Sequence, residues 1–205
     1  MLSGTEIKRR LLDHESGLAI TPIIDVQQIG NASVDLRLGP DFIVTRRATG
    51  LAAFDPARVE EIERRVREYQ DYVRRPVGSA FYLHPGEFAV ARTLEYLTVP
   101  PGTAAQVDGR SSWGRLGLVI QTAPLIQPRF EGTVTLELAN VGTVPLVLYV
   151  GLRVAQVMFY DLLTPPQSDS RGRHAADRAK GKRVMKQVPA GQVRRLKDRS
   201  SLNLP

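Results

Sequence analysis

From Phe81 to Leu163 the chain is cut into short runs by glycine and proline, and within those runs apolar residues recur at about every second position. The cuts fall at Pro85-Gly86, Pro100-Pro101-Gly102, the stretch Asn140 to Pro145, Gly151 and Pro165-Pro166. A period of two belongs to strands with one buried face, and many short strands with tight turns close into a barrel or a jelly-roll-like sandwich. Helical patterns are confined to the first third. Ser3 with Glu6 is a capping-box pattern, and Ile7, Leu11 and Leu12 supply an apolar stripe, which predicts a helix over 4–14. Asp55-Pro56 starts a second one, in which Val59, Ile62, Val66, Tyr69 and Val73 keep a spacing of three or four up to Pro76. Its Glu60/Arg64, Glu61/Arg65 and Glu63/Arg67 pairs describe a solvated face. The expected fold is mainly β: a distorted, jelly-roll-like β-barrel with an N-terminal helix and one inserted amphipathic helix over about 55–75.

A chain of 205 residues is most economically one domain, able to bury about 70% of its unfolded surface. The barrel is expected to span 1–163, followed by a basic tail over 164–205. Residues 171–205 hold eleven Lys or Arg against Asp177 and Asp198, while the rest of the chain is nearly neutral. Such a tail is a solvated extension, a lid over a polyphosphate in which Arg178, Lys180 or Lys182 takes part, or, least favoured, a nucleic-acid arm. No apolar run approaches the roughly 20 residues of a membrane span, and MLSGTEIKRR lacks the apolar stretch of a signal peptide. No membrane partner is expected, and a cytoplasmic location is the default. The absence of cysteine excludes disulfides, thiol nucleophiles and Cys-held zinc, and His14, His84 and His174 are isolated from one another.

The stretch Gly109 to Asn140, GRSSWGRLGLVIQTAPLIQPRFEGTVTLELAN, holds the candidate chemistry. Arg110, Ser111, Ser112 and Arg115 form a dense donor set suited to an anion such as phosphate. Farther on, alternation puts Val134, Leu136 and Leu138 on one face and Thr133, Thr135, Glu137 and Ala139 on the other. Glu137 is then either a solvated acid or the acid of a site. Upstream, ASVDLRLG sends Val34, Leu36 and Leu38 one way and Ser33, Asp35 and Arg37 the other, which makes Asp35 and Arg37 a candidate outward ion pair. His84 is expected to make a structural hydrogen bond, and Trp113 to pack in the core or a subunit contact.

ASVDLRLG, LHPGEFAVARTLE, GRSSWGRLGL, TAPLIQP, FEGTVTLELANVG and GLRVAQ, in this order, resemble the successive motifs of the dCTP deaminase branch of the dUTPase superfamily. The resemblance covers roughly residues 18–163. It implies a homotrimer of dUTPase-like barrels with sites at subunit boundaries, and hydrolytic deamination of dCTP to dUTP and ammonia without zinc. In that chemistry Glu137 passes protons between water, ring and leaving group, with Arg115 and Ser111 beside it. Arg110, Ser112 and Gln156 would hold the triphosphate, which brings its own Mg2+. The backbone around Thr122 and Ala123 would choose the base, and Trp113, Gly114, Thr135 and Leu136 complete the implied nucleotide-binding positions. dTTP is a candidate inhibitor.

The sequence also departs from that family. Typical members have Ile-Asp-Pro-Gly where this chain has Ile126-Gln127-Pro128-Arg129, the segment before Thr122 is one residue shorter, and the family's lid motif is unrecognisable in the tail. Glutamine is no base at neutral pH, so Gln127 is expected to abolish triphosphate hydrolysis while still bonding a sugar hydroxyl. The alternatives are a non-catalytic nucleotide sensor and, less favoured, a dUTPase or other nucleotide pyrophosphatase.

Overall fold

The computed structural model describes residues 1–45, 66, 69–123 and 125–164. A helix, α1 (Gly4–Leu12), precedes eleven strands: β1 (Ala19–Thr21), β2 (Val34–Thr45), β3 (Gln70–Arg74), β4 (Ala80–Leu83), β5 (Phe88–Thr98), β6 (Thr103–Gly109), β7 (Leu118–Gln121), β8 (Leu125–Ile126), β9 (Glu131–Asn140), β10 (Leu146–Tyr149) and β11 (Arg153–Asp161). Among the described residues no helix is long and apolar enough to cross a membrane.

Nine strands form one sheet with the path β7-β9-β5-β2-β11-β6-β8, to which β1 adds on β5 and β3 on β2. β4 and β10 make a separate antiparallel ribbon. The two ends of the long path, β7 and β8, are consecutive in sequence. Gln121 and Leu125 are four residues apart, a reach of at most about 14 Å. Six strand spacings in a flat sheet would set them about 29 Å apart. The sheet must therefore curl until its ends meet. A contact across the gap agrees: a Cβ on Gly109 of β6, the strand next to β8, would lie 3.3 Å from Cβ of Ile120 on β7.

Curling puts one face of every long strand inside. Val34, Leu36, Leu38, Phe42, Leu97, Leu136, Leu138, Val157 and Phe159 are all fully buried, and Phe42 stacks on Phe81 with ring centroids 4.2 Å apart. β5 and β9 keep the expected alternation along their buried stretches. β2 does not, since Leu36 to Gly39 are buried without a break. It bends at Gly39-Pro40, where pairing with β5 shifts register between Leu38 and Phe42. Glycine is required at the bend, because a Cβ on Gly39 would sit 2.7 Å from the Arg92 carbonyl oxygen.

The N-terminal helix forms as its capping box implies, with Ser3 Oγ accepting from the Glu6 amide at 3.2 Å. It is fastened to β11 by Arg10, whose guanidinium donates twice to Asp161, at 2.7 Å each. The inserted helix is shorter than its apolar spacing implies. Val66 and Tyr69 are helical, but residues 70–74 are β3 and pair with residues 41–45 of β2. A ladder partner outweighs the local period there. The remainder of that expected helix, 55–65, 67 and 68, and the tail beyond residue 164 lie outside the described residues.

Two predictions follow from these contacts. Arg9 and Arg10 hold the Glu6 carboxyl down at about 2, from an ordinary 4.5, and Arg10 lowers that of Asp161. Carboxyls depressed by folding add stability that is complete above the ordinary value and disappears as pH falls towards the folded one. Arg10→Gln is therefore expected to cost most above about pH 4.5 and least near pH 2, as read by denaturant unfolding across pH. Arg129 is the only non-glycine residue with positive φ among those described, at 66°. Arg129→Gly is expected to stabilise the protein by up to about 1 kcal/mol in the same assay.

Candidate functional site

β6 ends at Gly109, and the chain turns through one helical turn, Ser111–Gly114, before entering β7 at Leu118. On a helix, residues four apart share a side. Ser111 and Arg115 are therefore neighbours on this turn, and so are Ser112 and Leu116. Ser112, Trp113 and Leu116 line a groove of about 470 Å³ together with Arg37, Arg110, Leu152 and Arg153. Trp113 is half-buried against the core and donates from Nε1 to the Arg153 carbonyl at 2.9 Å. The expectation that Trp113 packs in a core or subunit contact is thus met on the core side.

The guanidiniums of the groove are held by acids. Arg110 Nη1 donates to Asp35 Oδ2 at 2.6 Å, and Arg153 Nη1 approaches the same oxygen at 3.5 Å. Arg153 also pairs with Asp25 through Nη2. Gln156, on β11 opposite Asp35, accepts from Ser33 Oγ at 3.3 Å. Asp35 and Arg37 do not form the outward pair their spacing suggests. Asp35 goes to Arg110 and Arg153, while Arg37 is buried and turns to Glu95 on β5.

Glu95 is the residue that the reading of candidate sites missed. It is wholly buried. Its Oε2 accepts from the Arg37 backbone amide at 2.7 Å, and its Oε1 from the Arg37 guanidinium at 3.2 Å and from Gln28 Nε2 at 2.9 Å. Burial pushes its carboxyl above the usual range, against the pull of the Arg37 amide and guanidinium. A signal was available: Glu95 stands in phase with Ala89, Ala91 and Leu97, all core residues of β5, and an acid in core phase requires a cation.

The acid singled out from sequence lies on β9. Leu136 and Leu138 are buried, and Glu137 is exposed on the opposite face, paired in register with Val90 of β5 and Gln121 of β7. Thr135 is half-buried on the same face as Glu137. The Leu136 side chain is in the core, which leaves only its backbone for a ligand. Pairing of β7 with β9 stops at Gln121. Thr122 and Ala123 then begin the crossing to β8, with Thr122 Oγ1 3.4 Å from the Val107 carbonyl. The structure thus brings Thr122, Ala123, Thr135 and Glu137 to one end of the β7-β9 ladder.

Ser111 and Arg115 are at the other end. Leu118 pairs with Asn140, so the strand from Leu118 to Gln121 alone puts about 10 Å between the two levels, and Arg115 lies farther back. Gln127 is exposed just past β8, in the turn that contains Arg129. The bond expected of His84 comes from its backbone: the amide donates to Glu87 Oε2 at 2.8 Å, and the ring is exposed. Among the described residues no three His, Asp or Glu side chains are grouped to hold a metal ion.

The dCTP deaminase-like family matches residues 1–162. This chain belongs to that family. A protein of Methanobrevibacter smithii named dCTP deaminase, dUMP-forming, is 43% identical over 168 residues, 82% of this chain and 83% of its own. A dCTP deaminase of Natronomonas pharaonis is 43% identical over 169 residues, with the same shares. Among solved structures, the 2'-deoxycytidine 5'-triphosphate deaminase of Agrobacterium tumefaciens superposes with a TM-score of 0.58 at 22% identity. That match covers 77% of this chain and 47% of the other, and at this identity it bears on the fold.

Removing Glu95 would leave Arg37 buried, with its next acid, Asp25, 3.9 Å away. Glu95→Ala is expected to cost about 3 kcal/mol or more, measured as the loss of unfolding free energy in denaturant at neutral pH.

Proposed function

We propose that this protein is a dCTP deaminase that releases dUTP and ammonia without a protein-bound zinc. The observation that carries the reading is β7: the strand that begins at the donor-rich turn is the strand against which Glu137 is paired. Membership of the dCTP deaminase-like family supports it. Water attacks the ring carbon that bears the amino group. Glu137 takes one proton from the attacking water and gives it to the ring nitrogen, then carries the remaining proton of the new hydroxyl to the amino group, which leaves as ammonia as the carbonyl forms. Arg115 and Ser111 stabilise charge on the ring and orient the water, since donors fixed where charge develops supply the larger catalytic term.

Within one chain, Glu137 and Arg115 occupy opposite ends of the β7-β9 ladder. A homotrimer, as the family resemblance implies, would complete the site by bringing Glu137 of one subunit to Ser111 and Arg115 of the partner subunit. Arg110, Ser112 and Gln156 hold the triphosphate, and Mg2+ arrives with it as part of the substrate. Backbone groups at Thr122 and Ala123 separate cytosine from uracil. An unpaired polar group there costs the wrong base about 1 to 3 kcal/mol.

Of the two named relatives, one carries the words dUMP-forming in its name. Gln127 favours dUTP here, because an amide side chain cannot activate the water that would cleave the triphosphate.

Chromatography of each pyrimidine nucleoside triphosphate after incubation with the protein tests the whole reading. We expect dCTP to give dUTP and ammonia, with no pyrophosphate. Formation of dUMP would overturn the product assignment, and saturable dCTP binding without turnover would replace the enzyme by a nucleotide sensor. Glu137→Gln is expected to bind dCTP and to deaminate it at least about 100-fold more slowly. Full activity in that variant would remove Glu137 from the mechanism.

A further inference from the structure

Three guanidiniums converge on the groove beside Ser112, and the acids between them are placed differently. Arg37 is committed to Glu95, deep in the sheet. Arg110 and Arg153 share one oxygen of Asp35, at 2.6 and 3.5 Å. Like charges this close repel, more strongly where partial burial lowers the local dielectric, and a carboxylate between them removes the penalty. Each guanidinium has five N–H donors, and Asp35 takes only one from each. Arg110 keeps the rest of its fork for the groove that both residues line, while Arg153 also gives Nη2 to Asp25 and Nη1 to the Gln27 carbonyl and keeps the donors that remain.

Asp35 is itself fixed. Its carbonyl accepts from Gln28 Nε2 at 2.9 Å, and the same nitrogen donates to the buried Glu95. Its ladder partner Gln156 is tied to Ser33, and Arg37, two residues on along β2, is tied to Glu95. The carboxylate is thus anchored through its own backbone to the most buried polar cluster of the fold. An anchor of this kind sets where a guanidinium points, and a bidentate fork responds steeply to pointing.

We propose that Asp35 is a positioning residue for a nucleoside oligophosphate: by gripping Arg110 and Arg153 through one oxygen, it aims both forks at the terminal phosphates of the ligand. Arg153, absent from the residues that the sequence pattern singles out, is then the second phosphate ligand beside Arg110. This rests on the nucleotide reading of the groove given above. It implies that Asp35 controls how strongly the site prefers a triphosphate over a monophosphate, and leaves the chemistry at the base alone.

The test is equilibrium binding of dCTP and dCMP, by titration calorimetry, to the wild-type protein, Asp35→Asn and Asp35→Glu. Asp35→Asn is expected to weaken dCTP binding about tenfold or more and dCMP binding less than about twofold, with Asp35→Glu recovering part of the difference. In turnover, the KM for dCTP is expected to rise while kcat stays within about threefold. Equal weakening of dCTP and dCMP would show a merely structural role and overturn the proposal, as would unchanged dCTP affinity. Should Asp35→Asn fail to fold, Arg153→Gln reads the same preference from the other partner, and an unaltered dCTP to dCMP ratio there overturns it equally. A wild-type protein that binds dCTP but forms no dUTP would sink the deaminase reading, while the binding ratios would still decide the role of Asp35.

Discussion

Glu95 and Arg37 face each other across β5 and β2 where almost no water reaches them, and much of the remaining polar architecture is arranged around that pair. Taking both groups out of water is costly, and the attraction between them does little more than offset the loss. We take the role of the pair to be direction. Glu95 accepts from Gln28, from the Arg37 amide and from the Arg37 guanidinium, and no buried side-chain polar atom among the described residues lacks a partner. From this cluster a line of alternating charge, Arg37, Asp25, Arg153, Asp35 and Arg110, runs outward to the groove. Buried atoms thus determine how exposed ones stand.

The second organising constraint is geometric. Short strands hide their apolar faces only by wrapping round one another, and here the wrap is completed by the passage from β7 to β8. That passage carries Thr122 and Ala123. The backbone proposed to choose the base is therefore held by ladders on both sides, β7 with β9 and β8 with β6. A loop on a rigid frame suits a group that must discriminate between ring substituents.

The period of two made β5, β9 and β11 legible, and with them the barrel. It also put Glu137 on the correct side of its strand. The same rule failed on β2, where both sides are covered, so that Arg37 reads as surface and is core. Its partner could not be found by spacing at all, since Arg37 and Glu95 are 58 residues apart and meet only through the fold. The helix over 55–75 overran because Tyr69 and Val73 fit a helical stripe as well as a strand; the free edge of β2 decided for a strand from Gln70 onward. Within the donor-rich turn, composition identified the four polar residues but not their division, in which Arg110 and Ser112 line the groove and Ser111 and Arg115 do not.

The join between Gln121 and Leu125 has one more effect. A strand that slides by a single residue exchanges its inner and outer faces, and such a slide on β9 would drive Glu137 in among the leucines. In an open sheet that error involves one ladder. Here β7, the partner of β9, is joined to β8 by a link of three residues. A slide of β9 that carried β7 with it would pull on β8 and its ladder with β6 as well, and the orientation of the acid is guarded by more than its own ladder.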